Sequence, residues 1–157
     1  MTVFLTVFAG ALTFVVGQLV LKLIIEPVQE LNKTISKIAY DLIKLANVFA
    51  NPTSITDDKM ASACQIMREH SSSLHASLYL VPKYRLMYKL FGLPPEDKIL
   101  EATKQLIRLY NGHDHVLDNQ GILNTYTMQK IKQNLGIKIP KDELLDPKLE
   151  REFIRAK

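Results

Sequence analysis

The sequence predicts an all-α protein: an N-terminal transmembrane helix followed by a cytoplasmic helical bundle. Three observations carry that prediction. Residues 2–21 are apolar on every face and uncharged. Beyond them, apolar residues recur at alternating spacings of three and four, the period of a helix with one buried face. No segment alternates apolar and polar convincingly enough to read as a strand.

The first element is TVFLTVFAGALTFVVGQLVL, Thr2–Leu21. Its polar side chains are three threonines and Gln18. Twenty such residues rise about 30 Å, the thickness of a hydrocarbon core. A single span must be helical, because lipid offers no partner to free backbone groups. A secretory leader is the competing reading, but the basic start and the small-residue cleavage site are missing. Lys22 closes the stretch and can snorkel to the headgroups. Basic residues follow the span (Lys22, Lys33, Lys37, Lys44) and none precedes it, so the C-terminal side is placed in the cytoplasm of a bacterial inner membrane. Gly10 and Gly17 share one helical face and, with Gln18, are candidates for helix packing within lipid.

The second element starts after Pro27. Val28, Leu31, Ile35, Ile38, Leu42, Leu45 and Phe49 form an unbroken a/d seam, which also runs back in register through Ile24, Leu21, Gly17 and Gly10. The opposite face carries Gln29, Glu30, Asn32, Lys33, Ser36, Lys37, Asp41 and Lys44. Such a seam serves either bundle packing within the chain or parallel self-association. Ala39, Ile43 and Ala46 widen the stripe, which favours the bundle. Asn51-Pro52 breaks the helix.

Thr56 is expected to cap the next helix, with Asp57 and Asp58 in its first turn. Met60, Cys64, Met67, Ser71, Leu74, Leu78 and Val81 repeat the three/four spacing to Pro82. Helices 28–49 and 57–81 therefore make an antiparallel hairpin. The first travels about 33 Å from the membrane and the second returns. That brings residues 82–92 back to the bilayer, and their sequence PKYRLMYKLFG suits a headgroup region. Lys83, Tyr84, Arg85, Tyr88, Lys89 and Phe91, together with Lys22, are the candidate membrane-surface residues. A nucleic-acid strand is the alternative partner for this stretch, though one basic-aromatic segment is a poor signal for it.

Pro94-Pro95 opens a helix over 95–111 with Ile99, Ala102, Leu106, Leu109 and Tyr110 as its core stripe. Residues 112–121 read as a polar loop. Asn124 or Thr125 caps a further helix carrying Met128, Ile131 and Leu135, ended by Gly136. Short amphipathic turns at 141–146 and 148–156 finish the chain. The organisation is thus 1–27 for the span and its exit, 28–111 for the bundle core, and 112–157 for the loop and the C-terminal helices.

Composition sets the outer limits. The chain has 157 residues and a net charge of +4, with pI near 9.1. The residues beyond the span are enough for one core. A modest basic excess suits a domain facing anionic lipid, and equally an ordinary basic protein. Cys64 is the only cysteine, so no intrachain disulfide can form; it reads as a small core residue in a reducing compartment.

Motifs of chemistry are few. No phosphate loop, nucleophile elbow or HExxH occurs. The acid pairs Asp57-Asp58 and Glu96-Asp97 fall in first turns, where the helix dipole explains them. His113-x-His115 has no evident third ligand, and His70 and His75 do not share a helical face. No metal and no cofactor is expected.

Arg108-Leu-Tyr-Asn-Gly-His113 resembles the R-x4-6-H motif of the HEPN ribonucleases, which are helical bundles. That resemblance implies an RNA-cleaving domain in which Arg108 and His113 act on the RNA backbone at a dimer interface. Leu109 and Gly112 depart from the pattern. The whole chain, with its EPVQELNK segment after the span, is similar in layout to small single-pass membrane proteins of bacteria. These include membrane accessory proteins of anti-phage systems, among them RNA-targeting CRISPR loci. That layout implies a non-enzymatic, oligomeric interaction or effector protein that perturbs membranes, with the bilayer, its own copies and a protein as partners. A holin-like, lesion-forming protein of phage origin is the third alternative.

Overall fold

A computed structural model describes residues 1–114 and 118–155. The described residues are helical and contain no strand. One unbroken helical run extends over Thr2–Lys44. It comprises α1 (Thr2–Val20), a single π-helical turn (Leu21–Ile25) and α2 (Glu26–Lys44).

The π turn has a local cause. Pro27 has no N–H to give to the carbonyl four residues back, and its ring crowds that carbonyl. The preceding turn widens instead, and Glu26 N–H donates to Leu21 O, five residues back. The helix therefore passes Pro27 without breaking. It breaks at Leu45 (φ −99°, ψ 5°), and the short α3 (Ala46–Ala50) follows. The expected helix 28–49 is thus two helices.

After the Asn51-Pro52 loop, α4 (Asp58–Leu80) runs back along α2. Its N-cap is Asp57 rather than Thr56: Asp57 Oδ1 accepts from Lys59 N at 3.1 Å and Met60 N at 3.0 Å. Next come α5 (Tyr84–Phe91), α6 (Glu96–Tyr110) and α7 (Gln120–Asn134). Gly92 (φ 64°) and Gly136 (φ 70°) hold left-handed backbone just beyond α5 and α7. There Leu93 N–H reaches back to Tyr88 O and Ile137 N–H to Lys132 O, closing both helix ends.

Helix α7 starts at Gln120, earlier than Asn124 or Thr125 as caps would place it. Asn124 lies inside the helix instead. Its Nδ2 donates to Phe49 O at 2.9 Å and Gly112 O at 2.7 Å, and Gln120 Nε2 donates to its Oδ1 at 2.8 Å. One buried amide thereby ties together the ends of α3, α6 and α7. The tail forms a 3-10 turn (Lys141–Glu143) and α8 (Pro147–Arg155). Gln129 clamps the tail through both atoms of its amide, Nε2 to Leu145 O and Oε1 from Leu145 N.

Within the bundle α4 packs on α2 and on α6, α6 on α7, and α7 on α3 and α8. The a/d seam supplies the first layer. Val28, Leu31, Ile38, Leu42 and Phe49 are buried, and Ile35 and Leu45 pack half-buried against the same core. The seam is therefore packed within the chain. The α4 stripe is buried in full: Met60, Cys64, Met67, Ser71, Leu74, Leu78 and Val81. Ile99, Ala102, Leu106 and Leu109 of α6 are buried too, as are Met128, Ile131 and Leu135. Ile43 does not join the stripe; it is exposed on the outer face of α2.

Candidate functional site

Helix α1 buries none of its residues. Among the described residues, the run it begins is the one helix long and apolar enough to cross a membrane. Its polar groups are largely self-contained: Thr6 Oγ1 donates to Thr2 O at 3.0 Å and Thr13 Oγ1 to Ala9 O at 2.9 Å. Such back-bonding removes the cost of placing a hydroxyl in hydrocarbon. Gly10 and Gly17 lie on open helix surface, where an added Cβ would meet nothing within 4 Å. Gln18 is half-buried and Lys22 is exposed at the π turn.

The bundle reaches down to this exit. Ile24, in the π turn, packs against the bundle core, and Val28 and Leu31 continue that core upward. The hairpin returns to the same end. Leu80 lines one cleft with Glu30, and Gly92–Pro95 line another with Asn32 and Ile35. The two ends of α5 are therefore held at the level of residues 30–35, and α5 closes the end of the bundle from which α1 leaves.

Helix α5 divides cleanly into two faces. Tyr84 and Met87 are buried, and Tyr88 and Phe91 pack half-buried on the core. Arg85, Leu86, Lys89 and Leu90 are exposed, with Lys83 just before them. This corrects the expected surface. The Tyr84 ring turns inward and its hydroxyl donates to Pro94 O at 2.7 Å. Burial, and then the nearby Glu96 carboxylate, push the Tyr84 phenol up from its ordinary value of 10.0. Tyr88 stacks on Tyr84, with ring centroids 6.3 Å apart. The outward apolar side chains are Leu86 and Leu90, which are 59% and 70% exposed.

A second constellation lies between α2 and α4. His70 Nε2 donates to Asp41 Oδ2 at 2.7 Å, with both side chains buried. The sequence pattern put Asp41 on the solvent face. The ring of His70 reaches across from α4 and covers it instead. Two turns away, Thr34 Oγ1 and Ser77 Oγ share a hydrogen bond of 3.1 Å. An open cleft of about 620 Å³ follows this seam, with Glu30, Lys33, Lys37 and Glu69 on its rim. The imidazole is nearly inaccessible and held by a carboxylate, so the pair reads as a polar clamp between two helices. His75 belongs elsewhere and shares a hydrogen bond with the exposed Tyr79 hydroxyl, at 3.3 Å.

Arg108 and His113 do not share a helix. Arg108 is exposed in the last turn of α6. His113 lies beyond the helix end, after Gly112, and its Nδ1 bonds Asp114 O at 3.0 Å. Asp114 N–H in turn donates to Thr53 O, so this loop is fastened to the α3–α4 connection. His115 lies outside the described residues. Among the described residues, no three His, Cys, Asp or Glu side chains cluster to hold a metal. Cys64 is buried, and desolvation pushes its thiol up to about 11.

No protein-family model, curated protein or solved structure matches the chain.

Proposed function

We propose that this chain is a single-pass membrane protein whose cytoplasmic bundle serves as an oligomeric interaction or effector module. The observation that carries the reading is the contrast between α1 and the rest. Helices α2 to α7 each bury apolar side chains in the bundle, whereas α1 buries none. An apolar helix of 19 residues with no buried side chain needs another solvent. Its twelve Val, Leu and Phe residues through Leu21 favour insertion by about 4–7 kcal/mol, before Gln18 and the glycines are counted against it. A removable leader fits less well. The bulky Leu21–Ile25 turn is helical and leads without interruption into α2, whose Val28 and Leu31 belong to the core.

The lysines after the span support a cytoplasmic side for the bundle. Because the α2 seam is used internally, copies associate through α1, where Gly10 and Gly17 permit close approach and Gln18 can bond across helices. The layout resemblance to anti-phage membrane proteins supports membrane perturbation as the outcome of that clustering. Carbonate extraction tests the anchor: the full chain stays in the membrane pellet, and removing residues 1–25 releases it. Mass photometry of the detergent-solubilised chain tests assembly, and a strictly monomeric particle contradicts it. Overexpression is expected to arrest growth and depolarise the membrane, and this effect requires residues 1–25.

A further inference from the structure

We infer that α5 is a second membrane contact, seating the bundle on the leaflet from which α1 emerges by inserting Leu86 and Leu90 among anionic phospholipid headgroups. This rests on the proposed anchoring of α1 and adds a surface, a lipid class and a geometry to it.

Four large apolar side chains cluster in sequence around the α4–α5 turn and are more than half exposed: Tyr79, Leu80, Leu86 and Leu90. Elsewhere in the bundle such exposure is confined, among the described residues, to the pair Tyr40 and Ile43 on α2 and to Ile154. Leu86 and Leu90 are one helical turn apart, and Arg85 and Lys89 sit beside them at the same spacing. An apolar ridge flanked by cations is the form of an interfacial helix. Glu96 and Asp97 line a cleft with Arg85 and Lys89, but they occupy the first turn of α6, where they complement its dipole.

The distances agree with seating. Residues 30–32 stand about 15 Å beyond Leu21 along the helix. The headgroup layer fills about 5–7 Å of that interval. The half-width of α5 with its side chains takes about 5 Å more. A tilt of about 20°, ordinary for a single span, lowers a point roughly 10 Å off the α1 axis by about 3 Å and closes the remainder. A tilted α1 and a seated α5 are therefore one state.

Lys83 gives an independent sign. It holds φ 45° and ψ 53°, the one positive φ outside glycine among the described residues. Glycine or asparagine adopts that conformation at lower cost. A strained backbone here keeps a cation at the rim of the apolar ridge. Each Lys or Arg beside an anionic surface is worth roughly fivefold in the ratio of seated to lifted bundle.

The chain has no tryptophan, so single-Trp probes report position directly. The full chain carrying Leu90→Trp is reconstituted into phosphatidylcholine vesicles, and into vesicles of phosphatidylcholine with phosphatidylglycerol. Each set is prepared with and without brominated acyl chains. Leu12→Trp in α1 and Tyr40→Trp on the outer face of α2 are the references. In the anionic vesicles Leu90→Trp is expected to emit further to the blue than Tyr40→Trp and to be quenched by bromine, with a weaker effect in the neutral ones. Adding Lys83→Gly is expected to lower the seated ratio roughly fivefold while leaving thermal stability equal or higher. Quenching of Leu12→Trp without quenching of Leu90→Trp overturns the seating alone; loss of both overturns the anchor. Equal quenching in the two lipid compositions overturns the anionic assignment. A drop in melting temperature with Lys83→Gly removes the argument from strain.

Discussion

Gly121 has no room for a side chain. An added Cβ would lie 2.2 Å from the Ala50 carbonyl oxygen, a backbone atom that cannot swing aside. Gly121→Ala is expected to destabilise the bundle by about 2–3 kcal/mol, read as a lower urea midpoint with an unchanged slope. The Asp41–His70 clamp makes a comparable demand. Asp41→Ala strands a buried imidazole and is expected to cost about 2–3 kcal/mol. Cys64 gives a chemical readout. A thiol moved from 9.0 to about 11 carries roughly a hundredth of the ordinary thiolate at pH 8. Alkylation of the folded chain should therefore be slow, and denaturant should restore the rate of a free thiol. The raised thiol and the raised Tyr84 phenol both bind their protons more tightly in the folded state. Their stabilisation is complete below the unfolded values of 9.0 and 10.0 and is lost as pH rises through the folded ones. The melting temperature is expected to fall above about pH 9, and Cys64→Ala should blunt the first part of that fall.

At the scale of elements, Lys83→Gly separates strain from function. Relief of a left-handed non-glycine is worth about 1–2 kcal/mol, and the extra freedom of glycine in the unfolded chain returns about half of it. A net gain of about 0.5–1 kcal/mol is expected in thermal unfolding. Much at this scale was legible in the sequence, because local rules decide it. The three/four stripes of α4 and α6, and Met128, Ile131 and Leu135 at α7, picked out residues that lie in the core, and Gly92 and Gly136 marked helix ends through their tolerance of positive φ. What escaped the sequence depends on partners distant along the chain. Asp41 looks like a solvent residue until His70, 29 positions away, covers it. Asn124 looks like a cap until Phe49 O and Gly112 O claim its amide. In α5, basic and aromatic residues interleave so closely that composition marked the segment as a whole. The faces followed only from packing: Tyr84 turned to the core, and Leu86 and Leu90 turned out.

At the scale of the whole molecule, one continuous helix runs from an apolar stretch that packs on nothing in the chain into the bundle, and in the proposed anchoring it joins two solvents. Its first half exposes an apolar surface on all sides, and its second half buries one stripe of it in a bundle. The π turn between them lets the helix pass Pro27 without a break. The α2–α4 packing ties this helix to the rest of the bundle. The return of α4 sets α5 at the same end, so a change in the tilt of α1 or in its neighbours alters how the bundle meets the lipid. Assembly through α1 would carry that change to every copy at once, which is the feature an effector of the membrane requires. The candidate surface is thus a property of topology: the sequence predicted the returning hairpin, whereas which α5 side chains face outward followed only from packing.

The most direct test of this account is limited proteolysis of the full chain in sealed vesicles of both orientations. The account predicts that the bundle is digested in inverted vesicles, that it is protected in right-side-out ones, and that a fragment of about the length of α1 remains with the membrane. Protection in the inverted vesicles, or recovery of the intact chain in the soluble fraction, would contradict it.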